Sequence, residues 1–251
     1  MNMKKVISIM QPTYMPWMGY FSMIDQVDEF VFLDSVQLVN RSWQVRNKIK
    51  YNDEEKMLTI PIKKEQSRNN RLIYNTAYSG IEWKERHLGI IKQAYIKAQF
   101  FSEVMPFIVA LYNREYESVG HFNENVIMEL SRRIGIDTPF YFAREMDIVG
   151  HKDELLVKIC KEREADTYLS ALGSATYIEA MSPAGEFGKN GMELLYLNYE
   201  HPIYCQLGRE FIPYIGIFDL LFNEGFDVAL DIIRSGTRKN YSSLEIRRMA
   251  D

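Results

Sequence analysis

Short apolar stretches separated by breaker residues run through the N-terminal part of the chain. Val6 to Met10 is rich in β-branched residues and stops just before Pro12, which predicts a strand over residues 4–10. The turn-rich residues 12–17 lead at Gly19 into a short amphipathic helix ending near Asp25, and residues 29–33 predict a second strand. Strand, loop, helix and strand, with both strands apolar, open an α/β unit whose parallel strands are covered on both faces. Residues 48–51 and 56–62 flank Asn52-Asp53-Glu54-Glu55 and predict a β-hairpin. A polar loop follows at 67–71, then a strand at 72–76. Helical stripes come next. Trp83, His87, Ile90, Ile91 and Ala94 share one face over 82–97, and further helices are predicted at 101–115 and 122–134, the last closed by Gly135. Strands at 140–143, 167–170 and 193–197, a helix at 153–164 and helices at 215–223 and 226–233 complete the pattern, with a frayed polar tail from Ser235. The predicted class is α/β, a Rossmann-like parallel or mixed sheet flanked by helices. It is read as one domain over 1–251, with a basic hairpin insertion at about 35–72 and a helical subregion at about 80–135.

Composition removes several function classes. The chain has 251 residues, 47% apolar and 25% charged, a mix that excludes disorder and collagen. Its longest apolar run, about ten residues around Val104 to Tyr112, is broken by Pro106 and falls short of the roughly 20 residues a bilayer span needs. With no signal-type leader, the expected location is cytoplasmic. Cys160 and Cys205 stand alone, fitting neither a disulfide framework nor a zinc site, and no metal is expected. The net charge of −4 argues against general nucleic-acid binding. From Ser35 to Leu72, however, nine Lys/Arg face four acids, a +5 island in a chain that is −9 elsewhere. Such an island is suited to a phosphate or diphosphate; a solvated hairpin face is the alternative.

Glycine-rich dinucleotide loops, Walker loops, paired metal-binding histidines and serine elbows are all missing. Four segments remain that carry chemistry. Gln11 to Phe21 follows the first strand, where open α/β sheets place ligands. Gln11 is a polar residue at a strand end, Tyr14, Trp17 and Tyr20 offer flat faces, and Gly19 brings free N–H groups close at a helix start. The alternative there is a rigid hydrophobic plug. Asp34 and Gln37 end the second strand, followed by Arg41, Trp43, Arg46 and Asn47: planar cations for phosphate oxygens with a stacking surface between them, or a surface loop with a satisfied turn aspartate. His87 shares a helix stripe with Trp83 and reads as a base or as a buried histidine. Ser170, Gly173 and Tyr177 form a strand-to-helix loop able to present N–H groups, and His201 is a further base or anchor.

Gln-Pro-x-Tyr-x-Pro-Trp-x-Gly-Tyr-Phe from Gln11, Phe-Leu-Asp-x-Val-Gln from Phe32, Arg-Ser-Trp-Gln-x-Arg-Asn from Arg41, Tyr-Leu-Ser at 168–170, and His-Pro-x-Tyr-x-Gln from His201 leading to Asp219-Leu-Leu-Phe-Asn-x-Gly resemble the WbqC-like family over residues 4 to about 230. Position 174 is a serine where that pattern suggests a glycine. The resemblance implies a bacterial enzyme of surface polysaccharide (O-antigen, lipopolysaccharide) biosynthesis. Specifically, it implies a transferase placing an aminoacyl, glycyl-like, or other acyl group on the amino group of a nucleotide-linked amino-deoxy sugar. The partners would then be a nucleotide-diphosphate amino sugar and an amino acid or acyl donor, with ATP as cofactor if the amino acid is activated on this protein. For that chemistry Asp34, His87 or His201 is the expected base, and Asn47 or a backbone N–H at Gly19 the expected oxyanion donor. Two alternatives stay open, an ATP-dependent ligase or nucleotidyltransferase of class I synthetase-like fold and a non-catalytic partner in a biosynthetic complex.

Overall fold

The computed structural model describes residues 4–39, 41–63, 71–180 and 182–250. Its main sheet has six strands in the order β5-β2-β1-β6-β7-β8. These are β1 (Val6–Met10), β2 (Glu29–Phe32), β5 (Phe140–Phe142), β6 (Thr167–Ser170), β7 (Glu193–Tyr196) and β8 (Tyr241–Ser242). All neighbouring pairs are parallel except β7 and β8. A separate antiparallel hairpin joins β3 (Arg46–Tyr51) to β4 (Glu54–Thr59). The mixed α/β fold with a mostly parallel sheet is the predicted one.

The pleat explains why both sheet faces are covered. Alternate residues point to opposite sides, so Ile7, Ile9, Val31 and Tyr168 enter one apolar cluster, whereas Phe30, Phe32 and Leu169 enter the other. Burying each such phenylalanine contributes about 1.5–3 kcal/mol. On the larger cluster's side pack α1 (Met18–Asp25), α2 (Glu82–Tyr95), α3 (Phe101–Asn113) and α4 (Val119–Arg133). The hydroxyl of Ser118 caps α4 by accepting from the His121 N–H at 3.1 Å. The smaller cluster is covered by α5 (Lys152–Glu162) with the short helices α6 (Ala175–Ile178) and α7 (Gly185–Lys189). The helices α8 (Phe218–Glu224) and α9 (Ala229–Ser235) return to the first side. No helix among the described residues is long and apolar enough to cross a membrane.

Three local expectations are corrected. The hairpin turn is Asn52-Asp53 alone, both residues left-handed (φ 52° and 61°), with Tyr51 opposite Glu54. A two-residue turn of this hand matches strand twist, and Asn and Asp tolerate it best after glycine. Residues 72–76 form no strand; Leu72 makes only an isolated bridge to Gln37. The C-terminal residues read as a frayed tail instead form β8 and α10 (Ser243–Ala250), where Glu245 accepts from both the N–H and the hydroxyl of Ser242 at 2.8 Å. The loop at 67–70, with Lys64, Glu65 and Arg68 of the basic island, lies outside the described residues.

Candidate active site

The chain builds outward from β1 to β2 and β5, then returns to the other side of β1 to lay down β6 and β7. Strand order therefore reverses between β1 and β6, and ligands of open α/β sheets bind outside the carboxyl ends at that reversal. A cavity of about 390 Å3 opens there. Its walls include Met10 and Gln11 at the end of β1, Ser170, Gly173 and Ser174 after β6, Tyr177 on α6, and Trp43 with Gln44 from the segment before β3. A second cavity of about 300 Å3 is lined by Pro16, Trp17, Tyr20, Asn47 and Tyr214. The two share Met10, Thr13 and Trp43. Trp43, half-exposed at 51%, is thus a common wall.

The 11–17 loop is fastened on three sides. Tyr14 N–H donates to the Trp43 carbonyl at 2.8 Å, Ile217 N–H donates to the Pro16 carbonyl at 2.9 Å, and the Asn123 amide on α4 reaches the carbonyls of Pro12 (3.2 Å) and Gln44 (2.7 Å). Partner identities also fix the amide orientations. Val39 N–H can only donate, so the Gln44 atom it meets at 3.1 Å is oxygen. The Gln44 Nε2 then donates to Gln11 Oε1, leaving the Gln11 Nε2 donors unclaimed among the described residues. Ser174 donates to the Ala171 carbonyl at 2.7 Å, so Ser170 donates to Ser174 at 2.6 Å and keeps lone pairs to accept from a ligand hydroxyl. This cleft offers amide N–H groups, hydroxyl acceptors and aromatic faces.

The chain was compared with known families, curated proteins and solved structures. The WbqC-like protein family matches residues 11–229, most of the chain. The chain belongs to this family. An uncharacterized protein of Mycobacterium tuberculosis, Rv1507c, is 29% identical over 234 residues, covering 92% of this chain and 98% of that protein. No solved structure matches.

The WbqC-like chain departs from its sequence reading in where the charge sits. Among the described residues no Lys or Arg lines either cavity. Lys48 pairs with Glu55 at 2.6 Å, Lys50 with Asp53 at 3.3 Å, and Lys56 lies over the Tyr51 ring. These three cations of the positive island are thereby engaged within the hairpin. Arg41 is exposed in a left-handed turn, and Arg46, whose Nε is buried without a hydrogen-bond partner among the described residues, lines neither cavity. Gln37 lines a different groove, beside residues 146–151.

Of the expected bases, Asp34 and His87 are interior. Asp34 is fully buried at the end of β2, accepting from the Arg144 N–H at 2.9 Å and from its guanidinium. The same guanidinium nitrogen donates to Glu124 on α4 at 2.8 Å. Burial pushes the Glu124 carboxyl well above the usual carboxylate range, Arg144 pulls the other way, and Asp34 adds to the rise. His87 sits in the core, Nδ1 within 2.8 Å of the Tyr14 hydroxyl, which in turn meets Tyr112 at 2.6 Å. Tyr14, expected to offer a stacking face, is therefore a core residue. Burial, with Arg86 adding, lowers the His87 pKa to about 4, so it stays neutral when folded but protonates near 6.5 when unfolded. Stability from this group is complete above pH 6.5 and is lost as pH falls to 4. His87→Gln should accordingly gain on the wild type by about 3 kcal/mol between pH 7 and pH 4, measured as the difference of urea unfolding curves.

His201 stays at the cleft's edge. It lines neither cavity but stacks on Trp17 (centroids 6.1 Å apart, planes at 9°) and meets Tyr214 edge-on at 5.0 Å, both walls of the second cavity. Its Nδ1 lies 2.9 Å from the Pro202 carbonyl, which can only accept, so Nδ1 carries the proton and Nε2 the lone pair. Burial lowers its pKa, with the bond to the Pro202 carbonyl pulling the other way.

Of the expected oxyanion donors, Asn47 is engaged elsewhere and Gly19 is buried and lines neither cavity. The Asn47 amide donates to the carbonyls of Tyr14 (3.1 Å) and Met15 (2.6 Å), using both its hydrogens. Gly19 is buried beneath Trp17, where any Cβ would run into the indole carbons. Tyr20 donates to the Gln11 carbonyl at 3.0 Å while lining the second cavity. Residues that the sequence reading did not name as site residues include Thr13, Gln44, Ser174 and Tyr214; the first three lie inside the segments it marked, Gln44 within the Arg-Ser-Trp-Gln run, and Tyr214 carried no signal. Among the described residues no group of three or more His, Cys, Asp or Glu converges to hold a metal.

Proposed function

We propose that this chain transfers an aminoacyl, glycyl-like, or other acyl group to the amino group of a nucleotide-linked amino-deoxy sugar in bacterial surface polysaccharide biosynthesis. Family membership supports a biosynthetic role. The observation that carries the finer reading is the uncharged, aromatic and amide-lined cleft at the strand-order reversal, divided by Trp43 into two connected cavities. Two cavities suit two reactants, and aromatic faces with hydroxyl acceptors suit a sugar or a base. On this reading the uncharged rings occupy the cleft and the diphosphate lies outside it, toward Arg41.

The transfer needs a base and a donor for the developing oxyanion. The sugar amine attacks the acyl carbonyl carbon, the carbon–nitrogen bond forms, the amine proton passes to His201 Nε2, and the donor's leaving group departs as the carbonyl reforms. Gln11 Nε2 is the donor best placed for the oxyanion, because its partner Gln44 has already fixed its orientation.

Incubating the purified protein with nucleotide-linked amino sugars and glycine plus ATP, acyl-CoA or charged tRNA should give a product heavier by the acyl group, seen by mass spectrometry. His201→Ala should slow turnover by about 10²–10⁴-fold with substrate binding retained. A complete set of donors and acceptors that yields no mass increment would overturn the reading.

A further inference from the structure

The Asp219 motif following the His201 segment has no part in the cleft. It opens on a third cavity of about 310 Å3 between the hairpin turn, the C-terminal end of α2, the 207–208 loop and α8. Asp219 lines this space although it is 0% exposed. Its Oδ2 accepts from the Tyr204 hydroxyl at 2.7 Å, and its Oδ1 is buried with no hydrogen bond of ordinary length among the described residues, although the Tyr95 hydroxyl lies toward the same carboxyl. A buried carboxylate oxygen left without a donor is destabilising, and here it borders a cavity able to hold one.

The wall charges say what kind of donor fits. Lys50, its side chain 4% exposed, gives its ammonium to the Glu210 carbonyl and to Asp53 at 3.3 Å. Asp53 is held in place by the Arg209 N–H at 2.9 Å. At the inner end the buried Asp219 carboxylate therefore has near it one ammonium that is already engaged, while Asp53 and Lys97 stand exposed at the rim. Burial raises the Asp219 pKa to about 6, with the Tyr204 and Tyr95 hydroxyls and Lys50 pulling the other way, so at neutral pH it remains mainly a carboxylate. Gln93 and Lys97 stand exposed on the same wall, an amide and a cation suited to the polar remainder of a ligand.

We propose that this third cavity binds a primary ammonium group, seated on Asp219, and that it is a site separate from the cleft. A free amino acid and an amino sugar both carry that group, and both fit the volume. The site rests on its own wall charges and not on the transfer reading.

Isothermal titration calorimetry at pH 7 with glycine, glucosamine, N-acetylglycine and N-acetylglucosamine tests it. Binding of glycine, of glucosamine or of both, with the N-acetylated forms at least about tenfold weaker, supports the site and identifies its source. Asp219→Asn should weaken the ammonium ligand by about tenfold or more. Ala94→Leu, which fills the cavity from α2 without touching Asp219, should abolish binding and decides the matter if Asp219→Asn fails to fold. The proposal is overturned if neither amine binds, if the N-acetylated forms bind equally well, or if binding survives Ala94→Leu and is lost in Trp43→Ala. Because binding and not turnover is read, failure of the transfer assay leaves this result intact.

Discussion

Arg144→Met is expected to lower the unfolding free energy by about 3–5 kcal/mol at pH 8, the usual loss when a buried ion pair is broken from one side. The reason lies in the sharing of one guanidinium. It donates to Asp34 and Glu124 together, and both carboxyls are almost wholly inaccessible to water. Methionine fills similar volume but leaves two carboxyls side by side with no cation. Without that cation the Glu124 carboxyl, which burial already holds high, rises further. A carboxyl raised in this way stabilises the folded state least at high pH, because there it must shed its proton in a poor solvent. The deficit of Arg144→Met should therefore shrink as pH is lowered toward 5. Urea unfolding at several pH values measures both effects, and a loss that is small or independent of pH would show that the guanidinium does not neutralise this pair. Adding Glu124→Gln should recover part of the stability, since one carboxylate is then removed.

Trp43→Ala should weaken binding of a nucleotide-linked amino sugar by about 5- to 150-fold, from the roughly 1–3 kcal/mol that stacking on one aromatic face contributes. Its melting temperature should hardly move. The indole is half-exposed, and the only hydrogen bond Trp43 makes to the 11–17 loop is through its backbone carbonyl, which alanine keeps. Binding by calorimetry beside thermal unfolding separates the two effects. Undiminished affinity would remove Trp43 from the ligand's path, and with it the reading of the two cavities as one cleft.

Central strands were legible because they are buried on both faces. Val6 to Met10 and Thr167 to Ser170 could serve little purpose other than filling the middle of a sheet. The edge strand β8 was not, since two residues, Tyr241 and Ser242, carry no periodicity, and edges favour short polar strands. Site residues divide along the same line. Gln11, Ser170, Gly173 and Tyr177 follow strand ends, and the parallel topology brings them to one cavity. A strand-end carboxylate such as Asp34 looks equally available from its neighbours in sequence. What removes it from the cleft is Arg144, 110 positions away, together with Glu124 on a helix. Charge misled for a related reason. A positive run along the chain becomes a positive surface only if its members point the same way. Here β3 and β4 carry their cations next to their own acids. His87 shared its stripe with Trp83, and the ring contact at 5.3 Å fits the buried alternative in that reading.

The floor of the cleft belongs to the parallel sheet, whereas Trp43 comes from the approach to, and Asn47 from the first strand of, a hairpin with its own closed ladder of hydrogen bonds. That hairpin joins no strand of the main sheet and is held instead by Ile49 and Leu58 in the larger apolar cluster, by the Asn47 amide and by Gly216 N–H to the Lys48 carbonyl at 2.9 Å. Exposed roof positions such as Trp43 can consequently change without disturbing strand register below. Ligand preference and folding stability come under separate sequence control, so related chains can diverge in what they recognise while inheriting the same scaffold.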